Sequence, residues 1–291
     1  MALEFHRIEF QYNRKATLFA GLDLRIENRA TVLLGPNGAG KSTLMSLAAS
    51  HLSPHRGSVT WHGVNPATGG GDRAAYRRAV AWLPQQVTPV PGLSVREQVA
   101  YCGWLKGMSR TAAWQASAGA LARVGLDRLA DRAGHQLSGG QLRRLGIAGC
   151  LAHHSELILM DEPTAGLDPT QRAVFRSLVE ELTEDVSVVV STHQTEDLAE
   201  TYRHVVVLDR GRIRFQGGTG EFHALADGAV VGAADATGPG AGSAAGGGPT
   251  GRGPAGGGAA GGGAAGPDTG VRGPGTPSAE AAYARLIERE T

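Results

Sequence analysis

Long apolar runs are missing from this 291-residue chain. None approaches the ~18 residues that a helix needs to cross a bilayer. A membrane span is therefore not expected, and any membrane part of its work falls to another chain. The opening Met1-Ala2-Leu3-Glu4-Phe5-His6-Arg7 lacks the form of a signal peptide. Cysteine is scarce: Cys102 and Cys150 lie far apart and in no metal-ligand spacing. That spacing offers no thiolate metal centre, and both cysteines are expected as small buried hydrophobes in a reducing compartment, with a disulfide between them as the alternative. Net charge is only +1, so no strong field points to nucleic acid or to an anionic membrane. Lysine is rare as well, occurring only at Lys15, Lys41 and Lys106. One of these three stands inside a glycine-rich loop, which favours a chemical role for it.

That loop is Gly35-Pro36-Asn37-Gly38-Ala39-Gly40-Lys41-Ser42-Thr43, of the form G-x-x-x-x-G-K-[ST]. An apolar run, residues 30–34, precedes it, and a helix-like segment, residues 43–50, follows. Strand, glycine loop and helix start together form a phosphate-binding device. Glycines let the backbone turn so that several N–H groups face one anion. The helix start adds its own free N–H groups and the positive end of its dipole. Lys41 supplies a cation to the β and γ phosphates, and Ser42 a hydroxyl to Mg²⁺. The plain alternative, a turn ahead of a helix, weakens as the rest of the chain is read.

Residues 3–10, 18–19, 22–26, 31–34 and 58–61 read as strands, with Gly21 dividing the second from the third. Residues 65–72 read as a loop, residues 73–78 as a short helix, and residues 80–83 as a strand running into Pro84-Gln85-Gln86. A mainly helical block starts at Ser94, whose spacing to Glu97 fits a capping box, and reaches about residue 133. A helix is expected from Leu142 to about His153. Strands at 157–160 and 186–190 are uninterrupted and apolar, as in a buried parallel sheet. Helices are expected at 171–182 and 194–202, and a hairpin turns at Asp209-Arg210-Gly211. Residues 228–277 are dominated by Gly, Ala and Pro and are expected to be a disordered linker. Residues 278–291 regain a helical pattern, with Ala282, Tyr283, Leu286 and Ile287 on one face. This last helix either frays without a role or docks back onto the domain.

In an open α/β sheet, ligands bind beyond the carboxyl ends of the strands. Those ends carry the glycine loop, Gln85, Asp161-Glu162 and His193. Asp161, closing an apolar strand, suits a Mg²⁺-linked carboxylate. Glu162, one residue on, points elsewhere and can polarise an attacking water; such a base contributes ~10²–10⁴-fold. His153 and His154 have no comparable setting and are expected at the surface.

With Leu137-Ser138-Gly139-Gly140-Gln141 about twenty residues ahead of Leu159-Met160-Asp161-Glu162-Pro163-Thr164-Ala165-Gly166-Leu167-Asp168, the chain resembles the ATP-binding cassette (ABC) ATPases over about residues 1–225. The resemblance implies an α/β phosphate-loop NTPase core with a mainly parallel sheet, an antiparallel β subdomain and a helical signature subdomain at about 94–150. It implies ATP and Mg²⁺ as ligands. Tyr12 matches the aromatic that stacks on adenine. Gln85 matches the glutamine that senses Mg²⁺ and the attacking water, with Gln86 an adjacent candidate. Asp161 matches the Mg²⁺-linked carboxylate, Glu162 the base, Asp168 the loop that crosses between subunits, and His193 the switch histidine at the γ-phosphate. Ser138, Gly139, Gly140 and Gln141 match a second phosphate device, a Ser-Gly-Gly turn before a helix. In the resembled family two cassettes meet head to tail, so that each ATP lies between the phosphate loop of one and the signature of the other. ATP closes the dimer, and the change passes to a separate transmembrane permease at a groove near Gln85. The resemblance places the chain on the cytoplasmic face of the cell membrane.

Leu142-Arg143-Arg144 after the signature resembles exporter-type cassettes of the ABC-2 class more than importers. Gly92-Leu93-Ser94-Val95-Arg96-Glu97, residues 191–197 and the closing helix lean the same way. An importer-type cassette is the alternative. A soluble relative acting on ribosomes or nucleic acid is the reading from another class. It is disfavoured, because coiled-coil arms, zinc spacings and basic patches are absent from the sequence. Both half-sites read as intact, which permits a homodimer and equally allows a heterodimer.

Overall fold

β-Branched and leucine side chains in short uncharged runs form the centre of the molecule, because such runs are stable only with both faces covered. The computed structural model describes residues 2–13, 16–27, 30–195, 202–225 and 279–288. Its larger sheet has six strands in the order β5 (Val80–Leu83), β6 (Leu157–Asp161), β7 (Ser187–Thr192), β3 (Ala30–Leu34), β8 (His204–Asp209) and β9 (Arg212–Gly218). The first five are parallel, and β9 returns antiparallel to β8. The return is a two-residue turn, Arg210-Gly211, with φ of 46° and 74°. Two positive φ values match the right-handed twist of a hairpin.

Side chains of these strands alternate between two cores. Val32, Leu34, Ile158 and Met160 enter one; Leu33, Leu157 and Leu159 enter the other. All seven are buried, and each stabilises the fold by about 1.5–3 kcal/mol relative to exposure. The first core is closed by α3 (Val95–Leu105), α4 (Arg110–Arg123), α5 (Gly139–Leu151) and α6 (Pro169–Leu182). The second is closed by α1 (Lys41–Ala48) and a three-stranded antiparallel sheet, β2 (Ala16–Ile26), β1 (Leu3–Asn13) and β4 (Arg56–Trp61).

Gly21 does not divide β2. The register slips there, from Ile8 opposite Leu22 to Glu9 opposite Ala20. Gly21 takes φ 83° and forms a bulge, which bends a strand without ending it. Helices start earlier than their apolar pattern predicts: α1 at Lys41, α2 (Gly70–Ala79) inside the expected loop, α5 at Gly139 and α6 at Pro169. In α5 the reason is the cap. Ser138 accepts from the Gln141 N–H, and Gln141 reaches back to the Ser138 N–H, which starts the helix on two glycines. The expected Ser94–Glu97 box is present at α3.

After β9 comes α7 (Thr219–Ala224). The closing helix, α8 (Ala279–Glu288), docks on the first core: Ala282 is buried, and Tyr283 and Leu286 lie against it. Arg285 Nη1 donates to the Leu225 carbonyl at 2.8 Å. The expected linker at 228–277 and residues 196–201 of the expected helix at 194–202 lie outside the described residues. Among the described residues, no helix is long and apolar enough to cross a membrane.

Candidate functional site

The site grows from the end of β3. Gly35 follows Leu34, and a Cβ there would stand 2.2 Å from the Leu208 carbonyl oxygen, so only glycine lets the loop leave between β3 and β8. Gly40 takes φ 107°, which side chains rarely adopt, and caps α1. No side chain caps that helix. Its first N–H groups are therefore uncommitted to a cap, as anion binding requires.

Lys41 is 5% exposed. Its Nζ donates to the carbonyls of Gly35 at 2.8 Å and Pro36 at 3.2 Å. Burial lowers its pKa from the ordinary lysine value, and Glu162 opposes that shift. Glu162 Oε1 lies 3.4 Å from Lys41 Nζ and 3.2 Å from His193 Nδ1. The Glu162 side chain is 15% exposed, and its backbone takes φ 42° directly after β6. That non-glycine outlier swings the carboxylate away from the line of β6 at a cost of ~1–3 kcal/mol. Its N–H is held by both the carbonyl and the Oγ of Ser191, each at 3.1 Å.

Ser191 was not read from the sequence, although it closes the apolar run of β7. It is fully buried, and its Oγ donates to Asp161 Oδ1 at 2.6 Å. One hydroxyl thus orients Asp161 and braces the backbone of Glu162.

An open cleft of about 690 Å³ brings together Tyr12, Gly38, Lys41, Ser42, Gln85 and Glu162. Asn37, Gly40 and Thr43 line it too, as do Asn13, Ala16, Thr17 and Leu18 from the β1–β2 turn, which sequence reading missed. Tyr12 is 68% exposed, so its ring face is open to a planar ligand. Its hydroxyl is tied to Thr43 Oγ1 at 3.0 Å, and its edge meets Phe10. Gln86 lines a different cavity, of about 300 Å³, between β5 and the helices, so Gln85 is the glutamine at the cleft. Pro36 lends a carbonyl to Lys41, and Ala39, buried, accepts from the Gly211 N–H at 3.0 Å.

Ser138, Gly139, Gly140, Gln141 and Asp168 do not line this cleft. Asp168 caps α6 through the Gln171 N–H at 2.8 Å. The Gln171 side chain lies over Gly140, where a Cβ would meet its Oε1 at 2.1 Å. His153, expected at the surface, is buried, whereas His154 is exposed. The turn after α5 presses His153 against the end of α2, where its Nδ1 meets the Arg78 carbonyl at 2.9 Å. Cys150 is buried, Cys102 half-buried, and both are free.

Among the described residues, no cluster of three His, Cys, Asp or Glu could cage a metal. The oxygen donors at hand are the exposed Ser42 hydroxyl and the Gln85 amide, which line the cleft, and the carboxylate of Asp161, which is buried and does not line it. A sparse oxygen set of this kind suits Mg²⁺, which keeps several waters and is shared with phosphate oxygens.

The chain is similar in sequence and fold to known proteins. A family model described as ABC transporter matches residues 20–165. An uncharacterized ABC transporter ATP-binding protein, YxlF of Bacillus subtilis, is 32% identical over 191 residues, 66% of this chain and 62% of the relative. The chain thus spans less than two thirds of that relative's length. The thiamine import ATP-binding protein ThiQ of Shigella flexneri is 37% identical over 192 residues, 65% of this chain and 81% of ThiQ. Among solved structures, cbiO1 from Clostridium perfringens, part of the ABC transporter complex cbiONQ, superposes with a TM-score of 0.67. It is 26% identical, over 76% of this chain and 90% of cbiO1. The phosphate loop, the Asp161-Glu162 strand end and these matches agree: the chain belongs to the ABC transporter family, as an ATP-binding ATPase cassette.

Proposed function

We propose that this chain drives a separate transmembrane permease by binding ATP with Mg²⁺ and closing head to tail on a second cassette. The observation that carries this reading is the separation of two phosphate devices on one chain. The phosphate loop lines the cleft, and Ser138 to Gly140 do not. The second device is therefore free to complete the site of another copy or of a related chain. Tyr12 stacks the adenine, and Lys41 leaves its loop carbonyls for the phosphate oxygens. Ser42 and Asp161 hold Mg²⁺, with Gln85 at the water. Glu162 takes the proton of the attacking water as its oxygen bonds to the γ-phosphorus and the bond to the β-bridging oxygen breaks. His193 holds Glu162 and the γ-phosphate in register. The permease docks not beside Gln85, which opens on the cleft, but at the neighbouring groove lined by Gln86, on the cytoplasmic face of the membrane.

The test is the purified Glu162→Gln variant with ATP. A stable nucleotide-loaded dimer is expected; a monomer that hydrolyses ATP at the wild-type rate overturns the reading.

A second reading concerns direction. Export rests on Leu142-Arg143-Arg144 and the neighbouring sequence cues, whereas ThiQ is named for import. Import is therefore carried as the competing direction. Flux of substrate in inside-out vesicles that hold this chain with its permease decides it. ATP-driven accumulation supports export, and ATP-driven loss supports import.

A further inference from the structure

We infer that Arg143 is a positioning residue that ties the nucleotide held by one cassette to the signature loop it offers its partner. The inference rests on the dimer reading above and adds an internal linkage to it.

β5 ends at Leu83, and beyond it the chain leaves the sheet ladder. Pro84 has no N–H to offer, and the carbonyls of Pro84 and Gln85 need donors from elsewhere. α5 supplies them. Arg143 Nη1 donates to the Pro84 carbonyl at 3.4 Å and, more closely, to the Gln85 carbonyl. One turn further along α5, Gly146 lies so near this segment that a Cβ would stand 2.3 Å from Leu83 Cδ1 and 2.8 Å from Val87 Cγ2. The helix thus holds the segment on both flanks through Gly146 and at its centre through Arg143.

The same helix begins at the Ser138 cap, five residues before Arg143. Ser138 and Arg143 thus sit on one continuously hydrogen-bonded element, separated by about 1.5 Å of rise per residue. Gln85 lines the nucleotide cleft, and the signature loop does not. A shift of Gln85 toward bound nucleotide therefore pulls on its own carbonyl, then on Arg143, then on the α5 start that faces the partner's ATP. A guanidinium suits this task because its donors are fixed in a plane, whereas an ammonium is a rotating point charge.

The test compares the wild type with Arg143→Ala and Arg143→Lys. Steady-state kcat, the Kd for ATP and the melting temperature are measured for each. For Arg143→Ala, kcat falls by about ten- to a hundred-fold, the loss set by misplaced catalytic groups, while Kd and melting temperature hold. Arg143→Lys recovers part of kcat. Unchanged kcat in Arg143→Ala overturns the inference, as does a parallel loss of kcat, ATP affinity and melting temperature, which marks a merely structural role. Should Arg143→Ala fold poorly, Arg143→Lys alone decides: a lowered kcat at wild-type Kd supports the linkage, and wild-type kcat removes it. A wild-type chain that hydrolyses no ATP overturns the reading beneath the inference, and a hydrolysing wild type with silent variants overturns the inference alone.

Discussion

Lys41 Nζ stands 3.4 Å from Glu162 Oε1, and both groups are largely shielded from solvent. Burial disfavours the Lys41 charge, and the neighbouring Glu162 opposes that effect. Glu162→Gln keeps the shape and removes the base. ATP affinity is expected to stay near wild type while kcat falls ~10²–10⁴-fold. Equilibrium binding of ATP beside single-turnover hydrolysis checks this, and wild-type turnover in the variant removes Glu162 from the role of base.

Ser191→Ala deletes the 2.6 Å donor to Asp161 and one of two acceptors for the Glu162 N–H. Groups that orient metal-associated ligands typically matter by about 10–100-fold. The Mg²⁺ concentration for half-maximal hydrolysis is expected to rise by about ten-fold or more. A Mg²⁺ titration at saturating ATP reads it; an unshifted midpoint contradicts the bracing role.

Gly139 and Gly140 separate sharply. A Cβ on Gly139 meets nothing within 4 Å, whereas one on Gly140 meets the Gln171 amide. Since Ala favours a helix over Gly by about 1 kcal/mol, Gly139→Ala is expected to melt no earlier than wild type. Gly140→Ala must displace Gln171, and adding Gln171→Ala relieves it. A double-mutant cycle is expected to show coupling of about 1 kcal/mol. Additive effects on urea unfolding would mean that the two residues do not touch in solution.

His153 is the acid-sensitive group of the core. Burial first, then the Lys106 charge, lowers its pKa from 6.5 to about 4, and His154 adds to the same direction. With a carbonyl as its partner, Nδ1 carries the proton and the ring is neutral. The folded pKa lies below the unfolded one, so the unfolded chain takes the proton first. The stability is fully present above about pH 6.5 and is lost as pH falls toward 4. Between pH 7 and pH 5 this group removes about 2 kcal/mol. Urea unfolding at the two pH values is expected to show a smaller loss in His153→Gln than in wild type. Equal losses in both would exclude His153 as the source.

Tyr12 lines the cleft and is largely exposed, while Thr43 holds its hydroxyl. Tyr12→Ala is expected to weaken ATP binding by about ten-fold, the scale of base–aromatic stacking. Tyr12→Phe, which keeps the ring, is expected to bind within a few-fold of wild type. A titration with ATP and with inorganic triphosphate separates the effects, since triphosphate has no base to stack and should bind both variants alike.

The phosphate loop, the apolar strands and the Asp161-Glu162 strand end were legible because each is written in neighbouring residues. Backbone turning needs glycine at Gly40, a buried parallel strand needs an unbroken apolar run, and a helix start needs a cap such as Ser94 with Glu97. The packing partners were not legible in this way. Gly21 read as a break, since a bulge depends on the facing strand, which lies far away in sequence. Ser191 escaped notice because its role exists only where β7 lies beside β6, setting it 30 positions from Asp161 in sequence. His153 read as a surface residue because the turn after α5 shows no sign of the carbonyl of α2 that receives it. Sequence alone determined most of the elements and which side chains could perform the chemistry. The tertiary structure decided which of two glutamines faces the cleft, that the signature loop lies off it, and that Arg143 grips the Gln85 segment. Hydrogen bonds and steric contacts act over a few ångströms in space, and only the folded chain brings such distant residues within that range.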